Sequence, residues 1–322
     1  MKKKWRFFCF FAVFSLFVSL SLSAAGRRDA AVAGVGPLRV GMMLAVESLP
    51  LMVARDKGYF EREGVNVELV LFANPQERDA ALQAGRLDAA ITDLLAAAFF
   101  VAAGFDFRVT SSTDGRFGFV ASPQSGITRL EELRGRRIGI SLNSIIQYVL
   151  ETKLGSAGIP ITEYEAVAIP LVPLRMEMVL EGHVDAVGLP EPILTAAVEQ
   201  GAVLLSTTDA PHYGGGIDAT VLFFSQRVLD NRLDEVLAFY RAYYQAAMRI
   251  NANPDAFRDY LVETAGFPAA VRDAYNFVTY RRPALPERSQ LIRALEWLRL
   301  RQLLAVELRP EDLIDPRATG EW

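Results

Sequence analysis

Three carboxylates and four small polar residues occupy the points of this sequence best suited to hold a small molecule. Glu47-Ser48 follows the apolar, β-prone run Leu38–Met43. Thr92-Asp93 closes the run LDAAIT, Asn143-Ser144 follows RRIGIS, and Pro190-Glu191 follows VDAVGL. Three acids gathered in a space of low dielectric repel an anion, and these four loops contain no arginine. They select a ligand with hydrogen-bond donors or positive charge: an amine, an amidine-like group or an aminopyrimidine. Arg116, in a nearby turn, reverses that selection if it points inwards. Ser144 opens the next helix, where free backbone N–H groups hold an anion or a carbonyl. Plain helix capping accounts for Asn143 and Ser144 as well, and a solvated loop charge or an N-cap accounts for each acid.

The elements around these residues read as α/β. Leu38–Met43 is a strand, Leu51 to Lys57 a helix stopped at Gly58, and residues 65–72 a second strand. A helix between two such strands makes a parallel βαβ unit with a right-handed crossover. The loop after its first strand lies at the carboxyl end of the sheet, where open α/β sheets bind ligands. A second unit repeats the pattern. Gly85-Arg86-Leu87-Asp88-Ala89 matches Gly182-His183-Val184-Asp185-Ala186, and Gly58 matches Gly155, both at an offset of 97; Gly41 matches Gly139 at 98. The steady spacing describes two copies of one α/β lobe. Residues 107–112 and 117–122 read as strands joined by the turn 113–116, and 123–126 as the break between copies. Residues 210–219 and the strand Thr220–Ser225 carry the chain back. Helices follow over 234–250, 254–264, 268–277 and 287–304. In the first of these Val236, Phe239, Tyr240, Tyr243, Tyr244 and Ala247 form a core stripe.

The 322 residues, 51% hydrophobic and 22% charged, supply two ordinary domains. The start is not part of the fold. Lys2, Lys3, Lys4 and Arg6 precede an apolar run of 16 residues, 7–22, and Ser23-Ala24-Ala25 precedes Gly26. This pattern predicts a cleaved secretory signal peptide, residues 1–25, and a flexible leader, 26–36. The run is short for a membrane span of about 20 residues. The single cysteine, Cys9, lies inside the signal and too early for a lipid-anchoring site, so release into a periplasm is expected. The mature chain then has no cysteine for a disulfide or thiolate. Loss of four basic residues takes the formal charge from −4 to about −8, which argues against a nucleic-acid partner.

Other residues read more plainly as structural. Asp88 and Asp185 hold equivalent repeat positions just before a strand. His183 replaces Arg86 and reads as surface, while His212 lies near the return crossing. Two histidines without cysteine are a poor basis for a metal site, and no cofactor is expected. Phe117, Phe119, Tyr148 and Tyr213 would stack on a flat ring or, more simply, pack the core and the crossings.

The signal-like start, L-R-V-G-M, P-L-M-V-A-R-D-K-G-Y-F-E-R-E-G-V-N-V-E-L, A-G-R-L-D-A-A, L-E-E-L-R-G-R-R-I-G-I and G-H-V-D-A-V-G-L-P-E-P together resemble the solute-binding proteins of ABC importers. The group is the SsuA/THI5-like (NMT1) one, with nitrate, sulfonate, taurine and thiamine-precursor binders and a pyrimidine synthase built on the same fold. The resemblance covers residue 38 to about 315. It implies a two-lobed periplasmic binding protein fold of type II, with two crossing strands as hinge. Lobe one would be 37–123 with 217–322, and lobe two 124–216. It also implies closure of the lobes over a ligand, lined by Glu47, Ser48, Thr92, Asp93, Asn143, Ser144 and Glu191. A monomer that passes its solute to a permease and its ATPase is expected, without catalysis and without membrane insertion once the signal is removed. A sulfonate- or nitrate-type anion binder, a ligand-sensing domain for a membrane signalling partner and a pyrimidine synthase-like enzyme are the alternatives on the same fold. The synthase branch carries a cysteine-rich motif, which this chain lacks. The aromatic residue that the group places after the first strand is replaced here by Leu44-Ala45.

Overall fold

The computed structural model describes residues 36–210 and 216–319. The expectations for the signal peptide, Cys9, His212 and Tyr213 lie outside the described residues.

The apolar runs build two five-stranded sheets. The first contains β1 (Leu38–Met43), β2 (Val67–Phe72), β3 (Ala89–Asp93) and β4 (Phe107–Thr113), and the second β5 (Phe117–Ala121), β6 (Arg137–Ile140), β7 (Glu165–Ala168), β8 (Ala186–Pro190) and β9 (Val203–Thr207). The last strand, β10 (Thr220–Ser225), returns to the first sheet. The orders are β2-β1-β3-β10-β4 and β7-β6-β8-β5-β9. β1 runs parallel to β2 and β3, and β6 parallel to β7 and β8. The fourth strand in each order, β10 or β5, is antiparallel to both of its neighbours. Each sheet is thus completed by a strand that enters directly from the other.

This placement corrects the expected hairpin. Residues 107–112 and 117–122 are not partners: β5 pairs with β8 and β9, with Phe117 opposite Pro190. The chain therefore changes sheets at Asp114–Arg116, before β5, and not after Ser122. A short Asp-Gly turn has the same sequence signature whether its flanking strands pair or diverge. Here β4 is already paired with β10.

The repeat has a physical basis. In β1 a Cβ on Gly41 would sit 2.7 Å from Leu87 Cδ1, and in β6 a Cβ on Gly139 would sit 2.9 Å from Ile169 Cδ1. Only glycine lets the covering side chains close on these strands. Asp88 and Asp185 are equivalent too. Asp88 Oδ2 accepts from the Arg39 amide at 3.0 Å, and Asp185 Oδ2 from the Arg137 amide at 2.8 Å. Each carboxylate ties the start of one strand to the strand beside it.

Helices cover the sheets. Leu49–Asp56 follows β1, with Pro50 in its first turn, and Pro75–Gln83 starts at Asn74, whose side chain accepts from the Glu77 amide at 2.9 Å. The long helix Leu233–Ala252 buries Val236, Phe239, Tyr240, Tyr243 and Ala247 against the first sheet's core, while Tyr244 is only half-buried. The helix expected over 268–277 is reduced to Val271–Ala274. Side chains replace its hydrogen-bond ladder. Arg258 Nη1 donates to the carbonyls of Arg272, Asp273 and Tyr275, and Asn251 bonds both the amide and the carbonyl of Tyr280. Residues 275–287 run irregularly beneath those contacts. Among the described residues, no helix is long and apolar enough to cross a membrane.

Candidate functional site

In both sheets the parallel strands and the crossings set one edge apart. β4 ends and β10 begins at the carboxyl edge of the first sheet, while β9 ends and β5 begins at that of the second. Both connections, 114–116 and 208–219, therefore join carboxyl edge to carboxyl edge. Each residue singled out in the sequence is on these edges: Glu47-Ser48 after β1, Thr92-Asp93 at the end of β3, Asn143-Ser144 after β6, and Glu191 after β8.

The three acids differ in how they are held. Asp93 caps the helix Leu94–Ala102, its Oδ1 accepting from the Ala96 amide at 2.9 Å. Burial raises its pKa, and the Ala96 hydrogen bond opposes that rise. Glu191 is 4% exposed. Its Oε1 accepts from the Thr195 hydroxyl at 3.0 Å and its Oε2 from the Thr195 amide at 3.1 Å, and Arg116 Nη1 lies 3.9 Å from Oε1. Burial raises Glu191 as well, against those partners. Glu47 is half-buried in the short turn Val46–Ser48. Burial pushes it up to about 7, with only its own backbone and the charge of Arg78 opposing. The three acids are therefore not equivalent: Asp93 and Glu191 accept from donors at their own helix starts, while among the described residues Glu47 meets only its own backbone.

The polar residues divide similarly. Asn143 takes a left-handed backbone, φ 52°, which asparagine tolerates. Its amide donates to Gln147 Oε1 at 2.7 Å. Ser144 precedes the helix Ile145–Ser156, but its hydroxyl donates to the Ser141 carbonyl at 2.6 Å and caps nothing. Thr92 is buried opposite Val221. Ser48 is fully buried, and its hydroxyl has no hydrogen-bond partner among the described residues.

Three tyrosines complete the space: Tyr243, which reads from the sequence only as core, and Tyr275 and Tyr280, which no periodicity marks. Tyr280 donates its hydroxyl to the Val46 carbonyl at 2.8 Å, fixing the turn that presents Glu47. Tyr243 is buried, its hydroxyl without a partner among the described residues; burial raises its pKa strongly, and the charges of Asp114 and Glu47 add to the rise. Tyr275 is buried too, its hydroxyl making no full hydrogen bond and meeting only the Val278 amide. Burial raises Tyr275; Arg116 opposes this, and Glu191 and Glu47 reinforce it. The stretch that carries Tyr275 reaches both edges: Tyr280 bonds the Val46 carbonyl beside Glu47, and the Asn276 carbonyl accepts from Arg116, which lies 3.9 Å from Glu191.

Arg116 does not stand free to receive an anion. It bonds Asp209 at 2.8 Å and the Asn276 carbonyl at 2.7 Å. Arg281 joins Asp114 and Asp218 at 2.6 and 2.8 Å. These pairs line an open cavity of about 570 Å³ between the crossings and residues 276–281. A different contact links the lobes nearby. Glu151, on the helix Ile145–Ser156, accepts from Gln147, Tyr164 and Trp297 and pairs with Arg301. The ring edge of Tyr148 meets Trp297 at 5.8 Å, and Phe119 is core, so neither is presented to a ligand.

Comparison with known proteins adds four findings. The model of the NMT1/THI5-like family matches residues 45–257. The chain is 21% identical over 225 residues to the 4-amino-5-hydroxymethyl-2-methylpyrimidine phosphate synthase of Schizosaccharomyces pombe, covering 66% of this chain and 65% of that protein. It is 22% identical over 179 residues to a putative binding protein of Brucella abortus, covering 55% of each. The chain thus spans between half and two thirds of the length of these relatives. Among solved structures, the alkanesulfonate-binding protein SsuA from Xanthomonas axonopodis pv. citri, bound to MOPS, superposes with a TM-score of 0.70 at 19% identity, over 88% of this chain and 99% of that one. At this identity the match establishes the fold: a two-lobed, type II periplasmic binding protein fold with two crossings as hinge.

Proposed function

Because the chain belongs to the NMT1/THI5-like family, we propose that it is the solute-binding component of an ABC importer. It captures a small organic solute between its two carboxyl edges and delivers it to a permease and its ATPase. It acts as a periplasmic monomer after signal cleavage, in lobes formed by 37–113 with 220–319 and by 117–207. This division moves the expected boundary to the crossings themselves.

One observation carries the reading. Glu47 and Glu191 come from different sheets, and one stretch, 276–280, bonds the Val46 carbonyl beside the first and the Arg116 guanidinium beside the second, so a molecule held against it lies between both lobes. A ligand that contacts both lobes in only one arrangement selects that arrangement. Around the same point Ser48 and Tyr243 bury hydroxyls without partners among the described residues, and buried polar groups are ordinarily paired. Glu47 favours a solute that presents donors or positive charge, such as an amine, an amidine or an aminopyrimidine. Asp93 and Glu191 support that preference less, because each already has donors of its own.

Binding without turnover is the activity proposed. Isothermal titration of the folded protein against amines, amidines, aminopyrimidines, sulfonates and nitrate tests it. Saturable heat from one class, with the solute recovered unchanged, is the expected result. A folded protein that binds none of these classes would sink the proposal, and conversion of a bound pyrimidine precursor would replace it with an enzyme.

A further inference from the structure

A chain of hydrogen bonds runs from the second lobe's candidate loop to the first lobe. Asn143 stands exposed after β6 with a left-handed backbone, φ 52°. That conformation costs a residue other than glycine about 1 kcal/mol, so its neighbours must hold it. The Asn143 amide donates to Gln147 Oε1 at 2.7 Å, and the Ser144 hydroxyl closes the loop on the Ser141 carbonyl. Gln147 is 5% exposed, in the first turn of the helix Ile145–Ser156. A capping box returns a side chain from this position to the N-cap amide. Gln147 reaches one residue further back, and its Nε2 donates onward to Glu151 Oε1 at 2.9 Å.

Glu151 carries the chain across. Trp297 Nε1, on the helix Arg288–Leu300, donates to its Oε2 at 2.8 Å, and Arg301, just beyond that helix, pairs with its Oε1. The Arg301 guanidinium lies over the Trp297 ring at 4.7 Å. The helix Arg288–Leu300 packs on Leu94–Ala102 of the first lobe. Trp297 and Arg301 therefore move with the first lobe, while Asn143, Gln147 and Glu151 move with the second. Only one orientation of the Gln147 amide serves both neighbours, oxygen towards the Asn143 N–H and nitrogen towards the carboxylate. Linked hydrogen bonds in a medium of low dielectric strengthen one another. If the first lobe's donors withdraw, the buried carboxylate draws on Gln147 and Tyr164 of its own lobe, and the hold on Asn143 changes with it.

We propose that Gln147 is a positioning residue of the solute site: it holds the Asn143 loop in its presenting conformation and couples that loop, through Glu151, to the first lobe at Trp297 and Arg301. The inference rests on the solute-binding function proposed above and adds a link between its binding loop and the docking of the lobes. Binding at the loop and docking at Trp297 then favour one another by the same factor.

Hydrogen exchange at the Asn143 amide of the full chain, without solute, tests the coupling. Gln147→Met removes both hydrogen bonds and keeps the stem, and should speed that exchange about tenfold. Trp297→Phe keeps a ring against Tyr148 and removes the indole donor; it should speed exchange at Asn143 about threefold from the other lobe. The double variant should exchange no faster there than Gln147→Met alone, a result that a general loss of stability would not give. The Thr195 amide, held by Glu191 at the same edge, is the control and should not change. If circular dichroism shows Trp297→Phe unfolded, Arg301→Met carries the same expectation. Unchanged exchange at Asn143 in the folded first-lobe variant, or equal acceleration at Thr195, overturns the inference. Calorimetric titration with methylammonium, acetamidine and 4-aminopyrimidine separates it from the function: the probe that wild-type protein binds should bind Gln147→Met about fivefold more weakly. Equal binding overturns the positioning role. Silence from all three probes would count against the proposed function and leave the exchange rates to decide the coupling.

Discussion

The helix Ile145–Ser156 and the helix Val172–Leu180 each bury one ionic group, and the two are treated in opposite ways. Glu151 is 7% exposed and meets Gln147, Tyr164, Trp297 and Arg301. Arg175 is 2% exposed and meets no partner at all among the described residues. Both remove a charge from water, which costs several kcal/mol unless the charge is matched. At Glu151 the match is built into the chain, and it ties the second lobe to the helix Arg288–Leu300 of the first. At Arg175 the match is missing and the cost is retained. Glu47 stands between these extremes, an acid raised by burial and opposed only weakly by Arg78.

The comparison breaks most readily at Glu151. Glu151→Ala leaves Arg301 and the Trp297 indole N–H without their acceptor, and should lower unfolding stability by about 3 kcal/mol. Urea denaturation of the solute-free protein reads this. A loss under about 1 kcal/mol would mean that the network is not structural.

Glu47 gives a pH signature of the next size. Its folded pKa of about 7 lies above the ordinary 4.5, so the folded state binds the extra proton between those values. Stability from this group is full below pH 4.5 and is lost as pH rises through 7. Glu47→Gln removes the charge and should flatten that loss. At pH 8 the variant should be the more stable by about 2 kcal/mol, allowing for the group's partial exposure. Parallel pH–stability curves for the two proteins would contradict the assignment.

The smallest effect sharpens the other side. Arg175→Met should leave stability of the solute-free protein unchanged or raise it by about 1 kcal/mol, because it removes an unmatched buried charge. A loss above about 2 kcal/mol, of the kind that follows removal of a working buried partner, would make Arg175 structural and equal in kind to Glu151.

Much of the frame is readable from the residues. The steady glycine and aspartate spacing marks two sheets because Gly41 and Gly139 each lie under closely packed side chains, and Asp88 and Asp185 bond equivalent strand amides. Strand ends are therefore legible, and with them the edge positions of Glu47, Asp93, Asn143 and Glu191. Which sheet β5 joins is not, since an Asp-Gly turn does not report whether its flanking strands pair. The state of each acid lies at a finer scale. Asp93 and Glu191 are hydrogen-bonded by Ala96 and Thr195, three and four residues on; that spacing is present in the sequence, but it acquires meaning only once the helix starts are fixed. Arg175 is the harder case. Its only trace is a cation four residues before Val179 on the inward face of a helix, a spacing equally natural for an arginine whose head group reaches water. Tyr275 and Tyr280 reach the site from an irregular stretch held by Arg258 and Asn251, contacts that no periodicity announces.

Capture of a small polar solute between the two edges is tested most directly by equilibrium dialysis of the folded protein against a small-molecule extract of the organism that makes it, followed by mass spectrometry of what is retained. Heat-unfolded protein serves as the control. One small solute with a donor-rich or cationic nitrogen group, held near one equivalent per chain by folded protein only, is the predicted result. A folded protein that enriches nothing over the unfolded control would contradict it.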